Sequence, residues 1–475
     1  GGDIFSPAVM ERIKAYQEGT LTATTVDNGS GIWQKWANAN GNTDWFGEFY
    51  DNWVPSQEHN LSISGGTEKL QYVLSGSFLD QKGLLRHGTD KFQRYTLNSK
   101  ITANITDWLK VTLNSKWTRE DFQRPTYLTS SFFHNLARKW PVHPAYDPNG
   151  FPMDEGEIEQ MENGGEQNSQ KDYYTNQLHV VIEPIKNWRI NLEGSVRTTT
   201  QYQHWEVLPV HAYDVNGDPY YTVWDMGYGS YSAGSSRVDE YSWKENYYTT
   251  NIYSDYFKQF DNGHYFKVMA GFNAELYKKG GLTGFGTDLI TPSVPELNTT
   301  QDNKNAYNSA SELAIAGFFG RINYNYKERY LLEANLRYDG SSRFIGDKRW
   351  GLFPSFSVGW NISREEFFKP LSNIIGTLKL RGSWGQLGNN ETEAWYPFFQ
   401  SMPTGTTNSG WLINGVRQNT AGLPGIVSSV LTWETVESWN VGVDFGLFDN
   451  RLTGSFDYYQ RYTYDMVGPA PTLPG

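Results

Sequence analysis

Apolar and polar residues alternate with a period of two along much of the chain. Residues 94–117 show the pattern most clearly, because apolar side chains fill one set of alternate positions and charged or amide side chains fill the other. Successive side chains of a β-strand point to opposite faces, so this stretch predicts a hairpin that turns at 104–107 and has one apolar and one charged face. Strands that separate lipid from a watery lumen have two such faces.

The same criterion predicts about fourteen strands in the whole chain. Tight turns are predicted at 65–68, 104–107, 184–187, 261–263, 327–329 and 448–450, with one longer helical link at 364–375. The alternate connections run over about 122–171, 204–237, 279–309 and 388–430. This strict alternation of short and long connections is typical of outer-membrane barrels and not of sandwiches. The fold class predicted is all-β: a transmembrane antiparallel β-barrel with short periplasmic turns and long extracellular loops.

The two ends of the chain lead to a further expectation. The first clear strand descends to a short turn and the last one ascends from a short turn, so the wall as written has two edges. Unpaired strand edges are costly in lipid, and we therefore expect sequence missing on both sides. Residues 1–55 lack alternation and predict a loop region with a short helix at Pro7–Glu18, capped by Ser6 and ended by Gly19. The predicted division is 1–55 as this preceding region and 56–475 as the partial barrel.

Composition narrows the classes of protein to which the chain could belong. Only 38% of residues are hydrophobic while 16% are aromatic, and no apolar run reaches the roughly 18 residues of a membrane-spanning helix. The net charge of −12 argues against a nucleic-acid partner. The chain has no Cys, and its first residues do not resemble a signal peptide, so an exported protein would have to be processed or partial.

The sequence carries few signatures of catalysis or metal binding. The sequence lacks a His-Glu-x-x-His helix, a Gly-x-Ser-x-Gly elbow and a P-loop, so no catalytic residue, cofactor or metal ligand is predicted. Residues 147–150 and 214–218 resemble calcium loops but lack the downstream Glu, and turns explain them better, although calcium stays open. For His134 and His143, packing in a loop is favoured over a ligand role.

Aromatic residues concentrate in two of the predicted outer loops. Exposed aromatic rings bind sugar rings or peptide side chains, dock a partner, or hold long loops together, and the last interpretation is favoured. The candidate substrate or partner contacts are Tyr220, Tyr221, Trp224 and Tyr228 in one loop and Trp395 and Trp411 in another.

Several long motifs resemble the SusC/RagA family of TonB-dependent outer-membrane transporters. They occur in order over about residues 42–466, which makes the resemblance more specific than any short pattern. The matching segments are 42–46, 59–69 (His-Asn-Leu-Ser-Ile-Ser-Gly-Gly-Thr-Glu-Lys), 320–324, 330–344, 349–355, 378–389, 439–446 and 452–459.

The resemblance implies a 22-stranded barrel, plugged by a separate domain, that actively imports large nutrients such as oligosaccharides or peptides across the bacterial outer membrane. It also implies partners: a SusD-like surface lipoprotein as a lid, the TonB complex acting through a plug segment absent here, outer-membrane lipid, and pairing of two barrel–lid units. Charges on the polar face would guide a substrate, or they would pair across the wall or anchor the plug, and one of the last two roles is favoured for many of them. They are Lys100, Lys110, Arg189, Glu193, Arg197, Glu333, Arg337 and Arg381.

Two other functions remain as alternatives. A soluble or surface glycan-binding β protein would share the aromatic loops but leave the alternation of connections unexplained. A membrane-barrel enzyme would need Ser/His or Asp/His groups that converge on the outer loops.

Overall fold

The computed structural model describes residues 7–22, 25, 29–33, 41–154, 157–222, 224–225, 230–392, 394–406, 411–424, 427 and 431–466. Ser6 and Tyr228 lie outside these residues. The α-helices are α1 Pro7–Gln17, α2 Trp45–Phe49, α3 Ser130–Arg138 and α4 Ile158–Asn163, and short 3-10 helices span Leu297–Thr299, Gly346–Arg349, Ile362–Arg364 and Glu366–Leu371. In the described part of the chain, no helix is both long enough and apolar enough to cross a bilayer.

Twenty-two strands are described. In chain order they are β1 Ser56–Gly66, β2 Leu70–Lys82, β3 Lys91–Thr106, β4 Leu109–Pro125, β5 Glu166–Ile185, β6 Trp188–Val207, β7 His211–Tyr213, β8 Pro219–Tyr221, β9 Trp224–Asp225, β10 Ser230–Tyr231, β11 Arg237–Gln259, β12 His264–Leu289, β13 Thr300–Tyr326, β14 Tyr330–Ser341, β15 Trp350–Asn361, β16 Ile375–Asn389, β17 Thr404–Gly405, β18 Leu412–Ile413, β19 Val416–Arg417, β20 Thr420–Ala421, β21 Glu434–Leu447 and β22 Leu452–Tyr464.

Fourteen of these strands form one continuous antiparallel sheet, which we call the wall. Its order is β1-β2-β3-β4-β5-β6-β11-β12-β13-β14-β15-β16-β21-β22, so every wall strand pairs with the next one along the chain. The remaining strands form four two-stranded ribbons in the loops. The predicted number and antiparallel order of the wall strands are confirmed. Among the described residues β1 and β22, the two end strands of the wall, do not pair with each other, so the sheet is open. It therefore forms only part of a barrel.

The connections differ between the two ends of the wall. At one end the strands are joined by tight turns such as 67–69, 107–108 and 327–329, and by the predicted helical link, which spans 362–374. At the other end the connections include 126–165, 208–236 and 390–433. This end also has shorter connections, however, at 83–90, 290–299 and 342–349.

The long connection predicted at 279–309 is therefore wrong. β12 continues to Leu289 and β13 begins at Thr300, and these two strands remain paired through most of the interval, from Lys279 with Ser311 up to Leu289 with Thr300. The Gly-, Thr- and Asn-rich sequence here lacks the apolar face that alternation would show. Pairing continues where the alternation stops.

The first tight turn depends on glycine. Gly66 has φ +143°, and a Cβ at this position would lie 2.1 Å from the carbonyl oxygen of Leu70. The amide of Thr67 donates to that same carbonyl at 2.6 Å. Backbone crowding and a positive φ together exclude a side chain at residue 66.

A compact hydrophobic core lies outside the wall, at its long-loop end. It joins α2, α3 and α4 to the upper end of β6, and we call residues 41–50, 83–90, 126–165 and 208–222 the loop cap. The buried members of the core are Trp45, Phe49, Tyr127, Phe132, Leu136, Ala145, Ile158, Met161, Val207 and Val210. The segment before β1 is thus folded against loops that follow much later in the chain.

Backbone and ionic contacts fasten this segment. The amides of Gly41 and Thr43 donate to the carbonyls of Val142 and Pro141 at 2.7 and 2.9 Å. The imidazole of His87 lies between two carboxylates, 3.2 Å from Glu48 and 2.7 Å from Glu162. These contacts tie α2 to both the 83–90 loop and α4.

Candidate functional site

The two faces of the wall have different chemistry throughout. One cross-strand row is apolar and runs Val268, Ile322, Ala334, Phe356, Trp384, Trp439. Most of these side chains are exposed, which a soluble sheet of this size would avoid but a lipid-facing wall requires. The adjacent row on the other face is polar and runs Lys267, Asn323, Glu333, Ser357, Ser383, Asn440. We call this second side the polar face.

Ion pairs organise the polar face of β6 to β12. Asp255 is only 3% exposed, and its carboxylate lies 2.7 Å from the guanidinium of Arg189 and 3.8 Å from the ammonium of Lys267. The amide of Asn191 also donates to it at 3.4 Å. A carboxylate this deeply buried needs such partners, so the cluster fixes three strands relative to one another.

A second cluster joins β16, β21 and β22. The guanidinium of Arg381 lies 3.3 Å from Asp444 and 2.6 Å from Asp457. Nearby, Arg337 binds Asp339 at 2.8 Å, and Glu333 accepts from the amides of Asn323 and Asn335. Arg189, Arg197, Glu333, Arg337 and Arg381 therefore pair within the wall, as expected, and Glu193 accepts from Gln177.

Lys100 and Lys110 behave differently from those residues. Both lie on the polar face and both are exposed, and neither has a carboxylate within 4.0 Å among the described residues. These two lysines therefore do not pair within the wall, and a role for them in guiding a substrate or anchoring the plug stays a prediction.

An aromatic cluster on the polar face of β11 and β12 was missed by the sequence reasoning. The hydroxyls of Tyr247 and Tyr277 each donate at 2.5 Å to a carboxylate on the neighbouring strand, Glu275 and Glu245 respectively. Arg197 stacks over the ring of Tyr247 and also lies 3.6 Å from Glu245. The available signal was the run of aromatic residues at odd positions of β11, namely Tyr241, Trp243, Tyr247 and Tyr253.

Tyr220 and Tyr221 lie together on the β7–β8 hairpin of the loop cap. Tyr220 is partly buried, and burial together with nearby Asp154, Asp214 and Asp147 raises its pKa to about 12. Tyr221 is exposed, and its ring centroid lies 4.5 Å from that of His211. Trp224 belongs to β9, which pairs with β10, and its side chain is not described; Tyr228 lies outside the described residues.

Trp395 and Trp411 are separated within the other aromatic loop. The ring of Trp395 packs 5.0 Å from the ring of Tyr277, and the guanidinium of Arg343 lies 5.9 Å from its centroid. Trp411, in contrast, is 79% exposed. The structure thus joins Trp395 to the aromatic cluster of the wall, whereas Trp411 is on the surface.

The loop 390–433 is anchored at both ends, whereas several apolar side chains in its middle are exposed. Arg343 donates to the carbonyls of Asn390 and Thr392 at 3.3 and 3.0 Å, which holds the beginning. Trp433 packs with Phe344 and Phe353 in a small core, which holds the end. The described residues between 396 and 424 we call the arch; its exposed apolar side chains are Tyr396, Phe399, Met402, Trp411, Leu412, Ile413, Val416 and Leu423.

The two calcium-like sequences form ordinary turns. Asp147 accepts from the amides of Asn149 and Phe151, and Asp214 accepts from those of Asn216 and Asp218. The donation from Asp218, with that from Asn216, holds the pKa of Asp214 below its usual range. The described residues contain no group of three or more His, Cys, Asp or Glu arranged to hold a metal ion.

Comparison with known proteins identifies relatives of this architecture. Residues 121–475 match the family described as TonB dependent receptor-like, beta-barrel. The chain is 28% identical over 454 residues to the TonB-dependent receptor SusC of Bacteroides thetaiotaomicron, covering 90% of this chain and 43% of that protein. It is 26% identical over 446 residues to the TonB-dependent receptor P3 of Formosa agariphila, covering 90% and 42%.

The fold is shared with solved structures. A structure of the RagAB peptide transporter superimposes with a TM-score of 0.75 at 21% identity, covering 91% of this chain and 47% of that one. The RagAB peptide importer in its closed-closed state gives the same TM-score at 20% identity, covering 97% and 50%. The chain thus spans less than half the length of the curated relatives it matches.

Proposed function

Because the chain belongs to the family of TonB-dependent receptor-like β-barrels, and to its SusC/RagA type, we propose that it forms much of the wall of an active importer in the bacterial outer membrane. Its cargo would be large nutrients, oligosaccharides or peptides. Uptake would proceed by capture at the outer loops and displacement of a plug pulled by the TonB complex, with no covalent chemistry. In this proposal residues 56–475 are the partial barrel and residues 1–55 are an outer segment that precedes it.

The observation that carries this proposal is the two-faced wall. Apolar side chains such as Ile322 and Phe356 are exposed on one face, while ion pairs such as Arg189–Asp255 cover the other. A sheet with these faces is stable when lipid covers the first and a hydrated lumen lies beside the second. A soluble lectin would not need lipid-facing rows along fourteen strands.

The outer loops support a protein partner as well as cargo. The arch presents exposed apolar side chains between two anchored ends, and interfaces draw their binding energy from such aromatic and aliphatic groups. We assign the arch, with Trp411, to a SusD-like surface lipoprotein that closes over the barrel as a lid. Two barrel–lid units would pair in the assembled importer.

The aromatic candidates divide between structural and contact roles. Tyr220 and Trp395 are packed against other loop or wall groups, so they would position their loops. Tyr221 is exposed on the same hairpin as Tyr220, so it would contact cargo or the lid. Trp224 and Tyr228, which belong to the same connection, are proposed to act with Tyr221.

Import is tested in the organism that carries the full-length gene. Three strains are compared: wild type, a clean deletion, and the deletion complemented with the full-length gene. Uptake of fluorescent neutral and acidic oligosaccharides and peptides is followed with and without a protonophore, which abolishes the inner-membrane energy that TonB transmits. We expect energy-dependent uptake of at least one probe in the wild-type and complemented strains only.

The controls separate import from folding and from leakage. Heat-modifiable migration of the full-length protein in gels reports a folded barrel, and vancomycin sensitivity reports leakage of the outer membrane. Uptake that is equal in the deletion strain, or that continues at full rate with the protonophore in an intact membrane, would contradict the proposal.

A further inference from the structure

One sector of the polar face carries cations that the wall does not neutralise. Besides Arg124, which donates to Gln167 at 3.0 Å, five Lys and Arg side chains lie on this face of β3, β4 and β5, and the described residues place no carboxylate within 4.0 Å of these five. We call this set the basic column, and it consists of Arg94, Lys100, Lys110, Lys116 and Lys171. In β3, β4 and residues 166–182 of β5, all of which are described, Glu120 is the only carboxylate that the strand register places among them.

Glu120 offsets only one of the five positive charges of the column. It lies opposite Arg94 in one strand pair and opposite Lys171 in the next, but its carboxylate accepts from the hydroxyl of Tyr173 at 3.1 Å. The adjoining strands contribute two more carboxylates, Glu58 on β1 and Glu193 on β6, which are fewer than the remaining cations of the column. The column therefore keeps a net positive charge within a chain whose total is −12.

This sector contrasts with the rest of the wall. On the polar face from β6 to β22, most arginines lie within 4.0 Å of a carboxylate, namely Arg189, Arg197, Arg237, Arg321, Arg337 and Arg381, whereas the described residues place none that close to Lys279, Lys379 or Arg461. Paired charges there fix strands to one another. Because the wall itself leaves the column unpaired, its charges remain free to bind a group that the wall does not supply.

The column extends over the depth of a membrane. Lys110 is next to the tight turn at 107–108, and Arg94 and Lys171 both lie level with Glu120, ten positions further along β4. At about 3.3 Å per residue and a tilt near 40°, this separation corresponds to a height of roughly 25 Å. Lys100 and Lys116 occupy the middle, so cations recur from one end of the lumen to the other.

Aromatic rings mark the upper end of the column. The ammonium of Lys171 lies 4.9 Å from the ring centroid of Tyr173 and 5.6 Å from that of Trp243. The ammonium of Lys279 lies 4.7 Å from the same Trp243 ring. Two ammonium groups thus converge on one indole, beside Gly281, which has no side chain to cover it.

The carboxylate opposite Lys279 already has partners of its own. Glu245 lies opposite Lys279 in the β11–β12 pair, yet it accepts from the hydroxyl of Tyr277 and pairs with Arg197. Cation–π contacts remove little positive charge from the ammonium groups. Lys171 and Lys279 together therefore form a positive entrance above the column.

We propose that the basic column guides cargo bearing repeated carboxylate or sulfate groups. Ammonium and guanidinium groups bind these anions through charge-assisted hydrogen bonds, and rows of Lys and Arg select anions in membrane pores. The inference rests on the proposed import function and narrows it. It makes the cargo anionic and places the path of the cargo along the side of the lumen formed by β3, β4 and β5. Acidic oligosaccharides and acidic peptides share the required chemistry, and the test distinguishes them.

The experiment uses the full-length protein in the complemented deletion strain. Three column lysines are neutralised together as Lys100→Gln, Lys116→Gln and Lys171→Gln. The matched control removes three exposed lysines that do not lie in the column, as Lys82→Gln, Lys244→Gln and Lys304→Gln. Uptake is measured with hexagalacturonate, a sulfated hexasaccharide and hexaglutamate as anionic probes, and with maltohexaose and hexaglycine as neutral ones.

The expected result is energy-dependent uptake of an anionic probe that falls about tenfold in the column variant at low probe concentration and is unchanged in the control variant. The fall should shrink as ionic strength rises, since salt screens the attraction. The identity of the anionic probe that is taken up distinguishes an acidic glycan from an acidic peptide as the cargo.

Three results would overturn the inference. Uptake of only neutral probes by the wild type would leave import standing and refute an anionic cargo. A column variant that loses anionic and neutral uptake alike, while folded, would show that the column seats the plug. Failure of the wild type to import any probe would count against the import function itself, and the inference would fall with it.

Discussion

The loop cap and the arch are both built from long outer connections, yet they are stabilised in opposite ways. The loop cap buries Phe49, Phe132 and Met161 in a core of its own and encloses the ion pair Lys139–Glu157, whose side chains are 7% and 6% exposed. The arch keeps Trp411 and Leu423 on the surface and is held at its ends, through Arg343 and Trp433.

The difference indicates what each region is for. A loop with its own core is ordered without a partner, whereas a loop with exposed apolar side chains gains stability when another surface covers them. In our account the loop cap is a fixed part of the outer face and the arch is the part that engages the lid. The predictions that follow test this contrast, beginning with the largest expected effect.

The first prediction compares one phenylalanine from each region. Phe132 is 0% exposed and packs edge-to-face on Phe49, while Phe399 of the arch is 67% exposed. Phe132→Ala should lower the opening free energy of the loop cap by about 3–5 kcal/mol, because it leaves a cavity. Phe399→Ala should change the stability of the arch by no more than about 0.5 kcal/mol. Hydrogen exchange on the full-length protein measures both, and equal effects would break the comparison.

The second prediction concerns the buried ion pair of the loop cap. Lys139 lies 3.0 Å from Glu157, which also accepts from the hydroxyl of Tyr127 and the amide of Asn135. Lys139→Met leaves a buried carboxylate without its cation and should cost the loop cap about 3 kcal/mol. The double variant Lys139→Met with Glu157→Met should recover much of that loss. If the single variant exchanges like the wild type, the ion pair does not hold the cap.

The third prediction concerns association with the lid. Trp411 and Trp53 are 79% and 78% exposed, but only Trp411 belongs to the arch. Trp411→Ala combined with Leu423→Ser should weaken binding of the co-purifying lipoprotein about tenfold, the effect of losing roughly 1.4 kcal/mol of interface energy. Trp53→Ala should have no effect. Biolayer interferometry with the two full-length proteins provides the measurement, and equal weakening by Trp53→Ala would remove the special role of the arch.

The smallest expected effect is a pH dependence confined to the loop cap. Burial, with the nearby charge of Lys139, lowers the pKa of His143 to about 4. The folded loop cap thus keeps His143 neutral at pH values where the opened one takes up a proton. Its stability should decline as pH falls from about 6.5 towards 4. Hydrogen exchange, corrected for the intrinsic rates, should show this decline in the wild type and a smaller decline in His143→Asn. An equal decline in the two proteins would contradict the assignment.

The sequence was informative where lipid and water act on opposite faces of a strand. Rows such as Leu97 with Trp117 and Val268 with Ile322 alternate because one side is apolar, so the strand number and the tight turns were predictable. Where both faces of a strand meet water, neither face has to be apolar, and the alternation is lost. The pairing of Lys279 with Ser311 and of Leu282 with Asn308 therefore continued through a stretch interpreted as loop.

The candidate site was harder to predict for a different reason. Aromatic residues in loops indicate contacts but not with what, and only the fold could place Trp395 on Tyr277 and leave Trp411 on the surface. The basic column could likewise not be predicted without the fold. Lys100 and Lys116 alternate like any polar residues. Their unpaired state follows from the neutral residues opposite them, Val73 and Asn114 for Lys100 and Asn98 and Thr175 for Lys116, which only the register reveals.

The most direct test of the whole account is native mass spectrometry of the full-length protein extracted gently from its own outer membrane. The account predicts a complex that contains a surface lipoprotein and retains an oligomeric cargo, and that loses the lipoprotein when the arch carries Trp411→Ala with Leu423→Ser. A folded barrel recovered repeatedly with neither lipoprotein nor cargo would contradict the claim that this wall belongs to a lidded importer.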